Sequence, residues 1–401
     1  MGISSNLIKQ FAKYKKEINL EELIGKCVAI DVSNEVYRAL LGMKYITQLT
    51  DKDNNPTSHI LVMLQNALKY QKLGIDTIYV FDNKPHDEKE LALEKRRVVK
   101  NKAKELLAEA NNNSPHNNST LELNNNLTHD SQNIIDDLNL DDVPIELEQK
   151  IIVPTPLEQN MKQIAIVDED DDSIVTVQAH NIVTDIEDIV NDEKQRTYRS
   201  SDPTNFNSLQ KQAFTPTQQM FDDIKLILTK LGIKWCLAPE NCEAEQYCAL
   251  LTQIDVADYV MSSDADCFLF GAKNVIRRET VEVEILKGKG KGKMTKKNKL
   301  MTYNLDEILA GEKITLSQLI DIGIALGTDY SMPIKGIGIK TALKNPDNIS
   351  KHFDKQHIRA KEIFEMKCNY TPIDEVKTLQ DKNIDDLKEF LLSKNISKIV
   401  L

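Results

Sequence analysis

Three short apolar runs that each lead into an aspartate limit how this chain can fold. Cys27-Val28-Ala29-Ile30 ends at Asp31, and Thr77-Ile78-Tyr79-Val80-Phe81 ends at Asp82. Tyr259-Val260-Met261 is followed within three residues by Asp264. Runs this short and this apolar read as strands buried on both faces. Between them lie segments with helical spacing. Residues 32–44 form one such segment, as do residues 58–73, where Leu61, Leu64 and Leu68 recur and Gly74 stops the pattern. Strands that alternate with helices predict an α/β fold with a mainly parallel sheet, and the repetition puts the three acids on one edge of it. Ligands bind in the crevice outside that edge.

More acids point to the same place. Residues 239–270 carry two pairs, Glu243/Glu245 and Asp264/Asp266, separated by a helix-like segment. Carboxylates that converge at a sheet edge repel one another unless cations neutralise them. Oxygen ligands without Cys or His at ligand spacing favour Mg²⁺ or Mn²⁺ over zinc. The alternative is a solvated acidic face. It fits less well here, because the acids flank apolar runs instead of alternating with polar residues. The six cysteines contain no Cys-x-x-Cys pair and several lie in apolar segments. They read as buried thiols in a reducing compartment, not as disulfides or a zinc site.

The net charge of −11 argues against a nucleic-acid partner only until its distribution is considered. Residues 1–110 hold 18 basic and 15 acidic side chains, residues 111–220 hold 6 and 20, and residues 221–401 hold 27 of each. The acidity is therefore concentrated in the middle, in an Asn-rich stretch followed by the block at 168–172, which reads as a low-complexity spacer. Just before it, residues 86–105 form a charged helical pattern in which Lys89 and Arg96, seven apart, share a face. Residues 4–24 also read as helical, as do residues 218–231 ahead of Gly232 and the segment ending at Asp329. Residues 287–299 read as a flexible basic loop, suited to DNA backbone, to a nuclear address or to a solvated hairpin tip. Gly336-Ile337-Gly338-Ile339-Lys340 opens a helix and offers N–H groups and a cation to a phosphate.

No apolar run is long enough to span a membrane, and residues 1–16 lack the apolar core of a signal peptide. The chain starts Met-Gly, but Asn6 breaks the myristoylation pattern.

Taken together, the motifs resemble the XPG/flap endonuclease family. MGI at the start, VAIDVSNEVYR, PTSH and YVFDNKP carry the N-terminal part of the likeness. APENCEAE, SSDADCFLFG, LGTDY and GIGIKTA carry the internal part, and the likeness covers about residues 1–105 and 215–345. The resemblance implies a PIN-like/5′-nuclease fold with a helix–two-turn–helix DNA-binding segment at about 315–345. It implies a structure-specific endonuclease that hydrolyses DNA near the junction of 5′ flaps or related branches, with two Mg²⁺ (or Mn²⁺) ions and a K⁺ ion at the helix–two-turn–helix. A 5′→3′ exonuclease on the same scaffold and a non-catalytic DNA-binding scaffold are the alternatives.

By resemblance the metal acids are Asp31, Asp82, Glu243, Glu245, Asp264, Asp266 and Asp329, and the catalytic cations are Lys89 and Arg96. The implied DNA contacts are Gly2, Tyr37, Arg38, Lys44, Arg97, Gly336, Gly338 and Lys340, with Tyr37 as a stacking platform. The chain departs from the family at Asn83, where Gly is usual, and at Pro346, which cuts short the helix after GIGIK. The C-terminal KNISKIVL lacks a sliding-clamp peptide. The expected organisation is an N-terminal nuclease region at 1–110, an acidic spacer at 111–213, an internal nuclease region at 214–345 and a polar, partly helical extension at 346–401. The expected protein is an intracellular monomer that acts on DNA in the nucleus or at replication sites, with no membrane contact.

Overall fold

The computed structural model describes residues 5–42, 49–53, 55–84, 86–112, 211–285, 293–370 and 383–396. Its strands are β1 (Lys16–Glu17), β2 (Cys27–Asp31), β3 (Asp76–Phe81), β4 (Lys234–Leu237), β5 (Tyr259–Met261), β6 (Asn274–Ile285) and β7 (Lys293–Asn304). The helices of the N-terminal part are α1 (Ser5–Phe11), α2 (Val32–Gly42), α3 (Ser58–Lys72) and α4 (Glu90–Asn112). After the acidic middle come α5 (Gln218–Leu231), α6 (Ala244–Gln253), α7 (Asp266–Leu269), α8 (Leu305–Glu312), α9 (Leu316–Leu326), α10 (Ile339–Lys344), α11 (Lys355–Glu365) and α12 (Ile384–Ser393). One compact unit comprises Met1–Lys104 and Lys211–Leu401, and a second comprises Glu105–Gln210. The second is described only as far as residue 112, so most of the expected spacer lies outside the described residues.

The strands form one seven-stranded sheet in the order β1-β7-β6-β5-β2-β3-β4. Strands from the first hundred residues sit between strands from the internal region, so the two sequence regions build one sheet. From β6 to β4 every pairing is parallel, while β7 and β1 add an antiparallel edge. Successive side chains of a strand point to opposite faces. Ala29, Ile78 and Val80 join a core with residues of α6, α7 and α9. Val28, Ile30, Tyr79 and Phe81 are equally buried on the other face, where α2 and α3 pack against β3 and α5 packs on α3. Burial on both faces explains why these strands read as unbroken apolar runs.

Local chemistry sets the helix ends. Gly232 adopts φ 70° after α5 and its N–H caps the helix. Thr315 and Gln318 form a reciprocal capping box on α9.

Three expectations fail. Residues 4–24 are not one helix. α1 stops at Phe11, and the backbone then makes a short 3₁₀ turn, the edge strand β1 and a second 3₁₀ turn at Leu20–Leu23. Pairing with β7 overrides the helical spacing, since Lys16 and Glu17 lie opposite Thr302 and Met301. The basic loop is also shorter than expected. Residues 293–299 belong to β7, whose antiparallel register with β6 runs from Lys293 opposite Ile285 to Asn304 opposite Asn274, and Lys299 Nζ meets Glu17 of β1 at 2.7 Å. Residues 286–292 lie outside the described residues. Third, Cys242 and Cys368 form a disulfide, whereas Cys27, Cys236, Cys248 and Cys267 are free thiols. The fold brings the two cysteines to a Cα separation of 6.0 Å across 126 residues of sequence, which no spacing rule reveals.

Candidate active site

The parallel register delivers the acids. Asp31 ends β2 opposite Val80, two residues short of Asp82, and Met261 of β5 pairs with Ile30, three residues short of Asp264. Glu243 and Glu245 come from the N-terminal turn of α6, and Asp266 opens α7. Asp329 lies in the turn after α9, which ends at Leu326 instead of reaching Asp329 as expected. Gly327 makes that turn at φ 95°. Asp31, Glu243, Glu245 and Asp266 are buried.

Their electrostatics show how closely they crowd. Burial pushes the Asp31 carboxyl up to about 8, and the charges of Asp82 and Glu243 add to it. Burial also raises Glu245 well above the carboxylate range, helped by Asp264, Asp266, Asp31 and Glu243. Neighbouring dipoles fix the orientations. The Ala244 N–H donates to Asp82 Oδ1 at 2.9 Å, and the Ser33 hydroxyl donates to Oδ2 at 2.6 Å. The Cys267 N–H donates to Glu245 Oε1 at 2.9 Å. The Asp264 carboxylate accepts from the Ala265 N–H at 2.6 Å.

Two cations hold the cluster together. Lys89 Nζ lies 2.8 Å from both Glu243 oxygens and 3.6 Å from Asp329. Arg96 Nη2 grips Asp329 at 2.8 and 2.6 Å. Burial disfavours the Lys89 charge, but Glu243 and Asp329 outweigh it and raise its pKa. Lys89 sits in a 3₁₀ turn just ahead of α4, and Arg96 lies on α4 itself. The two therefore do not share one helix face: Lys89 reaches the acids from the turn and Arg96 from α4.

Sequence reading missed some of the supporting residues. Ser33 and Ser262 hold carboxylates by their hydroxyls, and Arg277 donates to the Asp264 carbonyl at 2.8 Å. Tyr330 is buried beside the cluster, and burial and the Glu243 charge push its phenol well up. Its position directly after Asp329 was the available signal. Ser33 and Ser262 look like ordinary polar residues in the sequence.

The expected DNA contacts are scattered. The Tyr37 hydroxyl accepts from Lys100 at 3.3 Å, and its ring meets Phe214 edge-on at 6.4 Å. Arg38 is paired with the buried Glu35, which also faces Arg278. Arg97 is exposed beside Glu94. Gly336 takes φ 88° with no atom within 4 Å of an added Cβ, Gly338 caps α10, and Lys340 is exposed. Gly2 and Lys44 lie outside the described residues. No helix among the described residues is long and apolar enough to cross a membrane.

The donor set suits hard divalent cations: it is carboxylate only, mutually repelling, and buried at Asp31, Glu243, Glu245 and Asp266. Among the described residues, no group of three or more such side chains is already arranged around one point as a metal requires. Lys89 and Arg96 instead occupy carboxylate oxygens that an ion would need.

The XPG N-terminal domain matches residues 1–103 and the XPG I-region matches residues 232–329. Flap endonuclease 1 of Plasmodium vivax is 26% identical over 397 residues, covering 94% of this chain and 49% of that protein. Flap endonuclease 1 of Sulfolobus acidocaldarius is 26% identical over 360 residues, covering 87% of this chain and 76% of that one. The chain spans about half the length of the Plasmodium relatives it matches. Among solved structures, the flap endonuclease-1 from Methanococcus jannaschii aligns with a TM-score of 0.50 at 20% identity, over 97% of this chain and 98% of that one. The catalytic core of Rad2 in complex with DNA substrate aligns at 0.50 and 14% identity, over 97% and 93%. The fold is that of these 5′ nucleases, and with both family regions matched in order over half its length, the chain belongs to the XPG/flap endonuclease family.

Proposed function

We propose that this chain is a divalent-metal-dependent structure-specific nuclease that cuts 5′ flaps or related branched DNA near the single-strand/duplex junction, in replication or repair. The observation that carries the reading is the set of seven carboxylates at one sheet edge with Lys89 and Arg96 laid against them. Asp31, Asp82, Glu243, Glu245, Asp264, Asp266 and Asp329 would hold two Mg²⁺ ions, and a K⁺ ion would sit near Gly336 and Gly338. When bound, such ions supply a hydroxide nucleophile near neutral pH and stabilise the attacking and leaving oxygens. The chain's own cations do the rest. Once an incoming phosphodiester draws them off the acids, Lys89 and Arg96 donate to its non-bridging oxygens, where charge grows in the transition state. Tyr37 offers a ring for a base next to the scissile phosphate, provided it leaves Phe214. The exposed Lys340 and the turn at Gly336 would meet the duplex backbone.

The test is cleavage of end-labelled flap, bubble, nicked and blunt DNA, with matched RNA flaps, in Mg²⁺. The reading expects incision at the flap base. Release of single nucleotides from blunt or nicked ends would instead mark an exonuclease, and binding without cleavage would mark a scaffold.

A further inference from the structure

The disulfide joins two places whose relation bears on the acid site. Cys242 immediately precedes Glu243, the residue that caps α6 and meets Lys89. Its turn is tight: the Cys242 N–H donates to the Pro239 carbonyl at 3.1 Å, and Asn241 adopts φ 60°. A left-handed non-glycine residue persists when its surroundings over-determine it. Cys368 lies in the extended segment after α11. Besides the disulfide, the Gln246 amide holds that segment to α6, donating to Met366 O at 2.9 Å and Ile363 O at 3.5 Å. Packing along the seam is loose. A cleft of about 260 Å³ opens beside it, lined in part by Leu250, Leu269, Leu316, Phe364 and Met366. The disulfide is thus the one covalent tie, beside the Gln246 hydrogen bonds, between the acid turn and the chain that follows α11.

We propose that the Cys242–Cys368 bond is a reversible redox modification site that sets how firmly the Glu243–Glu245 turn holds divalent cations. This rests on the metal-site reading above. An intracellular disulfide, where one occurs, is more often redox-sensing than structural. Cys368 is 8% exposed, between the more open Met366 and Tyr370, so opening of this segment presents its sulfur. A thiolate of a dithiol reductant attacks Cys368 Sγ, the S–S bond breaks, and Cys242 leaves as a thiolate and takes a proton. The reductant's second thiolate then attacks its own sulfur in the mixed disulfide and releases Cys368. Two electrons and two protons pass to the protein, and the reductant becomes a disulfide. The remaining thiols do not compete, because burial pushes Cys27 up to about 11 and Cys236 up to about 12, and raises Cys248 and Cys267 well above the thiol range.

The test uses the full chain, as purified and after dithiothreitol treatment and desalting, beside Cys368→Ser. Alkylation under denaturing conditions should find two more thiols after reduction of the wild type, and no change for the variant. In chelated protein without DNA, amides of residues 241–247 as well as 366–370 should exchange about tenfold faster after reduction. Mn²⁺ binding followed by its electron-spin signal should weaken about tenfold or more, as it does when groups that orient metal ligands are lost. Cys368→Ser should match the reduced wild type and ignore reductant. Should the variant not fold, the wild type before and after reduction still decides. Faster exchange confined to 366–370, unchanged Mn²⁺ affinity, a variant that still responds to reductant, or an unchanged thiol count would each overturn the proposal. Failure of both forms to bind Mn²⁺ would remove the metal-site reading, and the redox proposal with it, even if residues 241–247 loosened on reduction.

Discussion

Raising the pH of the metal-free protein should destabilise it, and divalent cations should reverse the effect. Asp31 is the clearest source. Its ordinary value is 3.8, and in the folded chain burial, with Asp82 and Glu243 nearby, pushes it up to about 8. Between those values the folded protein keeps a proton that the unfolded chain has released. Stability therefore falls as pH rises through that window, the reverse of a salt-bridged carboxylate. At ~1.4 kcal/mol per pH unit the gap sets a ceiling of about 6 kcal/mol. Water entry and the effective dielectric of real sites reduce this to about 2–3 kcal/mol, or a Tm drop of roughly 5–10 °C for a domain of this size. The assay is thermal unfolding of chelator-treated protein between about pH 5 and pH 8. Asp31→Asn, neutral at every pH, should flatten the slope and exceed the wild type at the alkaline end. Mg²⁺ should raise Tm more at the alkaline end, where the carboxylates are ionised. A flat wild-type profile, or an Asp31→Asn protein less stable than wild type at the alkaline end, would show that these acids are not the crowded charges described.

Lys89→Ala and Arg96→Ala should each slow single-turnover cleavage at saturating enzyme by about 10²–10³ with much less change in DNA affinity; wild-type rates at saturation would reduce their ion pairs to a resting-state role. Asp264→Ala or Asp266→Ala should abolish cleavage and leave flap binding largely intact, as read by gel shift beside the cleavage assay. Gly311→Ala should lower stability by about 1–3 kcal/mol in urea unfolding, because a Cβ there meets the Tyr14 ring, which is tied to Glu312.

The sequence made the sheet centre legible because β2, β3 and β5 are buried on both faces, and such strands carry their signal in their own composition. The acids were legible for a related reason: a carboxylate that follows a buried strand has nowhere to go but the sheet edge. The edges were not legible. Lys16 and Glu17 form a strand only because β7 is beside them, and β7 is held by its antiparallel register with β6 over its whole length. Partners more than 280 residues away in sequence, such as Glu17 with Lys299, leave no local trace. The disulfide escaped for the same reason, since Cys242 and Cys368 meet only once α11 has packed on α9. At the site, the sequence marked Lys89 and Arg96 as neighbours, but Lys89 sits in a turn ahead of the helix that carries Arg96, and Asp329, which both meet, is set by the turn at Gly327 after α9.

That pairing gives the resting site its electrostatic logic. Burial raises the carboxyls of Asp31 and Glu245, and Lys89 and Arg96 match Glu243 and Asp329. The two cations are not equivalent. The Lys89 side chain is 18% exposed and engages both oxygens of a buried glutamate, whereas Arg96 is 39% exposed and meets Asp329 at the rim. An anion that approaches from solvent reaches the more exposed Arg96 first, and Asp329, as buried as Glu243, keeps Lys89 at 3.6 Å when Arg96 turns to the anion. Drawing Lys89 off Glu243 leaves a buried carboxylate unmatched, which is costly unless a second positive charge takes its place. On the proposed function, a divalent ion at Glu243 and a phosphate at Lys89 would each satisfy the group that the other displaces. Metal and substrate would then favour one another's binding through the single Lys89–Glu243 ion pair.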